Sequence, residues 1–152
     1  MSDAVHTIWK TPKHVFVRRD NVIVQVRGEE LTIAALDAHE TGLRLARAQL
    51  PTGPLAALLV IEENAPAPRG EVSKRQRELV SSFASDERVY ICLVLEGTGT
   101  SVALKRTLAR ALFRGPRRHI CSTVREGARW LEAEIGGRAD DLAAFVDSVR
   151  PK

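Results

Sequence analysis

The chain has only two cysteines among its 152 residues, and aromatic residues make up 5%. Two thiols cannot build the disulfide framework on which small secreted domains depend. Cys92 and Cys121 both lie in apolar runs, YICLVL and HICS, and read as reduced core thiols. A disulfide would require those two segments to be neighbours, which their spacing does not decide. The longest apolar windows, Leu55–Ile61 and Val89–Leu95, fall far short of the roughly 20 residues that cross a bilayer. The opening residues, MSDAVHTIWKTPK, hold no apolar stretch of signal-peptide length, so a soluble, cytoplasmic protein is expected.

Residues for chemistry are equally sparse. His6, His14 and His39 have no ligand spacing, and His119, two residues before Cys121, supplies half a metal site at most. There is no Gly-x-Ser-x-Gly elbow, and no Gly-Lys-Ser/Thr follows the glycine-rich stretch at residues 96–101. No catalytic residue, no metal and no cofactor is therefore expected. The 23 basic and 19 acidic residues give a net charge of +4. Arg106, Arg110 and Arg114, at i, i+4 and i+8 with Arg117 and Arg118 beyond, form the densest basic ridge. It is either the solvated face of a helix or a surface for an acidic partner. A nucleic-acid partner is not expected, because aromatic residues for base stacking are nearly absent around the ridge.

What the chain does contain is alternating periodicity. His14–Arg19 and Val22–Arg27 read as half-buried strands joined by Asp20-Asn21, which suits a two-residue primed turn. Residues 32–50 carry Ile33, Leu36, Leu43, Ala46 and Leu50 on one helical stripe, which Pro51 stops; His39 beside it reads as a partly buried packing residue. Two continuously apolar strands, Leu55–Ile61 and Val89–Leu95, alternate with helices over 73–84 and 101–113. The inner face of the later helix is expected at Val102, Leu108, Ala111 and Leu112. A short strand at 119–122 leads to a helix capped by Thr123 and Glu126. The expected fold is α/β: a mostly parallel five-stranded sheet with an N-terminal antiparallel hairpin and helices on both faces, in the order ββαβαβαβα. Residues 1–13 fall outside this domain, which spans 14–136, and residues 137–152 form an extra amphipathic helix. The apolar stripe of that helix, Leu142, Phe145, Val146 and Val149, is assigned to an oligomer interface, which makes a homodimer the expectation.

Candidate sites each have a plain structural explanation. Ser73 with Gln76 has the spacing of a capping box. Glu62, Glu63 and Glu96 fall at the carboxyl ends of two strands, where open α/β sheets bind ligands. The stretch from Glu96 through Thr98 and Thr100 to Ser101 reads as a tight turn plus a helix cap.

The strand and helix order from Val15 to Ile135 resembles the STAS superfamily, the anti-sigma-factor-antagonist type of domain, and especially its bacterial STAS-like relatives. The phrases VLEGTG at residues 94–99 and CSTVREGARWL at residues 121–131 carry the likeness, with Gly127 where those relatives have Ala. The resemblance implies a non-catalytic module that binds a protein partner. It also implies a phospho-acceptor where the helix after the third strand opens, which falls on Glu71-Val72-Ser73-Lys74 and makes Ser73 the candidate. The family motif is Asp-Ser/Thr-Ser/Thr-Gly, so here Glu71 replaces the Asp, Val72 the first hydroxyl residue and Lys74 the Gly. Glu71, Lys74, Arg75, Glu96, Thr98, Thr100, Arg106, Arg110 and Arg114 make up the candidate partner or ligand surface. The alternative is an apolar-ligand, phosphate-binding or enzymatic site in the loops at the strand ends.

Overall fold

The computed structural model describes residues 4–151, apart from the side chain of Leu112, so the expectation for that residue lies outside the described residues. Six strands form one sheet: β1 (Val5–Thr11), β2 (His14–Arg19), β3 (Val22–Arg27), β4 (Leu55–Ile61), β5 (Val89–Leu95) and β6 (Arg118–Cys121). They lie side by side in chain order, antiparallel from β1 to β3 and parallel from β3 to β6. Among the described residues there are also five helices: α1 (Ile33–Gln49), α2 (Gly70–Ala84), α3 (Thr100–Leu112), α4 (Val124–Ile135) and α5 (Ala139–Val149).

The sixth strand corrects the expected count of five. Its alternation is hidden by a register shift between Thr7 and Trp9, which leaves Ile8 without a partner residue on β2. Ile8 and Trp9 both pack against the same core cluster, so two neighbouring apolar residues share a side and the period of two is lost. Ile8 rests on Gly42 of α1, where a Cβ would come within 2.6 Å of it. Residues 5–11 thus belong to the domain. At the next turn, only Asp20 adopts a positive φ, 53°.

Three right-handed crossovers between neighbouring parallel strands all step the same way, which puts α1, α2 and α3 on one face. That face holds Ile23, Ala57, Ile91 and Leu95. The opposite face presents Val24, Val26, Leu58, Val60, Cys92 and Val94. α4 turns back across it, and with Gly127 on its inner side it comes so close that a Cβ there would sit 2.9 Å from both Cys92 Sγ and Leu58 Cδ1. Both faces being covered, β3 is buried everywhere except at Val22, so Gln25 and Arg27 are interior residues rather than the wet side of a half-buried strand.

One helix does not cover the second face, and α5 completes it. Gly136 and Gly137, with φ of 85° and 87°, turn the chain back after α4. Phe145 and Val146 enter the same cluster as Leu131 and Leu58, with Leu142 and Val149 packed against it. The Arg19 guanidinium lies 4.0 Å from the Phe145 ring centre, and Arg125 pairs with Asp140 at 2.9 Å. Of the stripe assigned to an oligomer interface, Phe145 and Val146 are thus buried within the chain itself, while Leu142 and Val149 are half-buried. Cys92 and Cys121, on neighbouring strands, are free thiols with Sγ atoms 3.7 Å apart. Their mutual hydrogen bond, and then burial, push the Cys92 thiol up.

Ending the chain at Ile135 removes Phe145 and Val146 from the core. At about 1.5–3 kcal/mol for each fully buried large side chain, the expected loss is roughly 3–6 kcal/mol. That is a large share of a total of about 5–15 kcal/mol. The truncated chain should lose its cooperative urea transition or shift it far downward, and a wild-type midpoint would show that α5 is dispensable.

Candidate functional site

α2 and α3 leave a gap between them over the sheet. α2 is held toward α1 by Arg75, which is hydrogen-bonded to Glu40 and 3.4 Å from Asp37. α3 is seated by Val102 and Ala109 over Ile61, Leu93 and Leu95. The gap between the two helices is a cavity of about 290 Å³ with Leu59, Ile61, Leu93 and Leu95 as its floor. Gln76, Val80 and Ser73 line it from α2, Lys105, Leu108 and Ala109 from α3, and Phe113 lies beyond the end of α3.

The helix starts decide which side chains reach it. Gly70, with φ of 59°, turns the chain out of the Pro-rich loop, so α2 begins three residues before Ser73. The Ser73–Gln76 capping box is therefore not formed; the Ser73 N–H donates to the Arg69 carbonyl at 3.4 Å, and Arg69 is the residue before the helix. Inside the helix rather than at its end, Ser73 and Gln76 line the groove. In α3 the buried stripe is Val102 and Ala109, seven residues apart, while Leu108 is 51% and Leu104 60% exposed. The expected inner face was wrong at Leu108 and Ala111, because α3 carries two apolar lines and only one meets the sheet.

At the head of the groove stands Arg27, from the carboxyl end of β3, only 2% exposed. Its Nη1 donates to the Glu29 carbonyl at 2.7 Å and the Pro66 carbonyl at 3.1 Å, and its Nε has no protein partner. Burial lowers its pKa to about 10, and it stays protonated at neutral pH. Lys105 Nζ donates to the Glu63 carbonyl at 3.0 Å, and burial together with the Arg27 charge lowers its pKa. Among the described residues neither cation forms an ion pair with a carboxylate.

Behind Gln25, which also lines the groove, lies a neutral polar cluster. Gln25 Nε2 and His14 Nε2 are 2.9 Å apart, the His14 and His39 rings meet edge to face at 5.1 Å, and His39 stacks on Phe16 at 3.9 Å. Burial first, then Arg27, holds His14 down at about 4; burial, then His14 and Arg27, holds His39 down at about 3.

The other expected surface residues are scattered. Glu71 and Lys74 are exposed on α2, and Thr98 and Thr100 are exposed where α3 begins. Arg106 donates to Ser122 Oγ at 3.0 Å, Arg110 is exposed, and Arg114 lies past the end of α3, so the basic ridge stops at Arg110. Glu96 accepts both Nη groups of Arg150, at 2.7 and 3.0 Å, and Glu62 accepts one at 2.9 Å. The hydrogen bonds that Arg150 donates to Glu96 raise the Arg150 pKa, and the residue closing α5 thereby straps the ends of β4 and β5. Of the ten residues expected in a phospho-acceptor and its surrounding surface, only Ser73 lines the groove. Arg27, Gln25, Arg77 and Lys105 were not anticipated. The available signal was an Arg ending a strand whose neighbour is apolar on both faces.

Among the described residues, no group of three or more His, Cys, Asp or Glu is placed to hold a metal ion. No helix among them is long and apolar enough to cross a membrane. Comparisons with protein-family models, curated proteins and solved structures return no match to the chain.

The histidine cluster has a signature in acid. Both rings fold as neutral imidazoles, below their ordinary value of 6.5, so between about pH 6.5 and pH 4 the unfolded chain binds the extra protons. Stability is full above that window and falls as pH drops through it, by up to about 1.4 kcal/mol per pH unit per ring. His39→Phe, which keeps a ring on Phe16, should remove about one such increment from the pH slope of the urea-unfolding free energy between pH 6 and 4.5. An unchanged slope would show that the ring is charged in the folded chain.

Proposed function

We propose that the chain is a non-catalytic, regulatory binding module of the STAS-like kind, cytoplasmic, whose recognition surface for a protein partner is the groove between α2 and α3 with its α3 rim. The observation that carries this reading is the second apolar line of α3. Leu104, Leu108 and Ala111, at i, i+4 and i+7, stand exposed beside an open cavity, and soluble domains rarely leave such a line uncovered without use. Exposed Arg77 lines the cavity across from it, so the complementary partner is a segment with apolar anchors and an acidic flank.

Ser73 fits a control point on this surface. It is half-buried on the groove wall one helical turn from Arg77, and a phosphate there would add about −1.5 to −2 charges to an otherwise basic mouth. Its place inside α2 means that the modification would alter the groove rather than cap the helix. The strand-end carboxylates offer less support for enzymatic chemistry, since Glu62 and Glu96 are both engaged by Arg150. A homodimer is not part of this reading, because the two central residues of the α5 stripe, Phe145 and Val146, are already buried within the chain.

The test is site-specific. A photoreactive amino acid at position 108 should cross-link a discrete partner in cells. The partner found should be lost with Ala111→Glu and kept with Leu45→Glu, which changes an equally exposed leucine on α1. Equal loss in both variants, or cross-linking no more selective from position 108 than from position 45, would refute the α3 rim as the docking surface.

A further inference from the structure

A guanidinium that is nearly inaccessible, lacks a carboxylate partner and leaves its Nε unbonded is an unusual thing to place beside an apolar cavity. Buried charges are ordinarily paired, because removing an ion from water costs several kcal/mol that carbonyl hydrogen bonds offset only in part. Two carbonyls hold Arg27 Nη1 in place, and the second cation, Lys105, is tethered the same way by Glu63 O. The Glu63 carboxylate acts on Lys105 only at a distance, and the other nearby carboxylates are engaged elsewhere. Glu29, whose charge reaches Arg27, accepts a hydrogen bond from the Thr11 hydroxyl. Glu62 and Glu96 are taken by Arg150. The cavity thus has a cationic head with no carboxylate in direct contact and an apolar body of Leu59, Leu93, Val80 and Phe113. At about 290 Å³ it falls just short of the usual range of small-ligand pockets, roughly 300 to 1,000 Å³.

We propose that the groove between α2 and α3 binds a small amphipathic anion, a carboxylate or phosphate monoester on a medium-length alkyl chain, with its head on Arg27 and Lys105 and its chain along the leucine floor. A planar guanidinium with a free N–H edge suits an oxyanion, and the neighbouring ammonium supplies a second charge. An apolar chain gains about 25 cal/mol for each Å² it removes from water. The proposal rests on the groove being the binding site named above, and it adds a link between two events. Leu108 belongs to both the rim and the cavity lining, so an occupant that orders it changes the surface a partner meets.

The full-length protein, stripped of bound lipid by reverse-phase extraction and refolding checked by circular dichroism, would be titrated below micelle concentration with four probes. These are sodium decanoate, decyl phosphate, decanol and inorganic phosphate, read by calorimetry and by methyl chemical shifts of Leu59, Leu93 and Val80. Decanoate, decyl phosphate or both should bind one per chain, at least tenfold more tightly than decanol and inorganic phosphate, and shift those methyls; which of the two heads is preferred separates a carboxylate from a phosphate ligand. Lys105→Met should cut that tenfold preference to threefold or less while leaving decanol binding unchanged. Arg27→Met should abolish it, and because the Lys105 variant alters a half-exposed residue, the test survives if the Arg27 variant fails to fold. Decanol binding as tightly as decanoate and decyl phosphate, inorganic phosphate binding as tightly as either, or no binding by any probe would overturn the proposal. A cross-linked partner at position 108 together with no probe binding would leave the docking surface standing and remove only the ligand.

Discussion

Neighbouring strands joined by right-handed crossovers that all step one way leave no freedom in where the helices go, and most of this molecule is a consequence of that constraint. The parallel part of the sheet runs β3-β4-β5-β6 without a reversal, so α1, α2 and α3 crowd one face. The other face receives only the stretch of chain beyond β6, so α4 approaches closely enough to need Gly127 and α5 must join it. An unreversed order also removes the crevice that a reversal of strand order opens at the strand ends. In this chain those ends are strapped by Arg150, and the cavity beside Arg27 lies on the face that α1, α2 and α3 cover.

Arg27 shows how a fold-level constraint becomes a chemical one. Its side chain alternates with Val26 and so falls on the face that α2 and α3 cover, though not completely. Covered tightly, it would need a carboxylate beside it; left in water, it would have no influence on an apolar groove. The spread between α2, drawn to α1 through Arg75, and α3, seated through Val102 and Ala109, holds it between those limits. The same face carries the neutral histidines, so the polar interior forms one patch running from His39 to Arg27.

Much of the architecture was legible in the sequence, and the parts that were not have identifiable causes. β4 and β5 announced themselves as apolar on both faces, and Thr123 caps α4 through its side chain as its spacing with Glu126 suggests. β1 was illegible because its bulge puts Ile8 and Trp9 out of phase. The start of α2 was misplaced because Ser73 has a cap's spacing, while Gly70 turns the chain earlier. The site itself was largely hidden. Gln25 and Arg27 have the alternation of a wet strand face, and only tertiary cover makes them interior. Leu108 looks like core from its neighbours in sequence, yet the helix turns it outward.

The two ends of the sheet also differ in what they would do to a neighbouring molecule. An unpaired strand edge is a template for extension by any other chain with a free edge. β6 offers only four residues of such a template, and the turn into α4 comes directly after it. β1 is longer, but its bulge breaks the even spacing of backbone donors and acceptors, and Lys10 stands exposed along it. The irregularity that hid β1 from pattern reading is thus the same one that spoils it as a seed for fibre growth: a strand that is hard to recognise on paper is, for the same geometric reason, hard for another strand to recognise in solution.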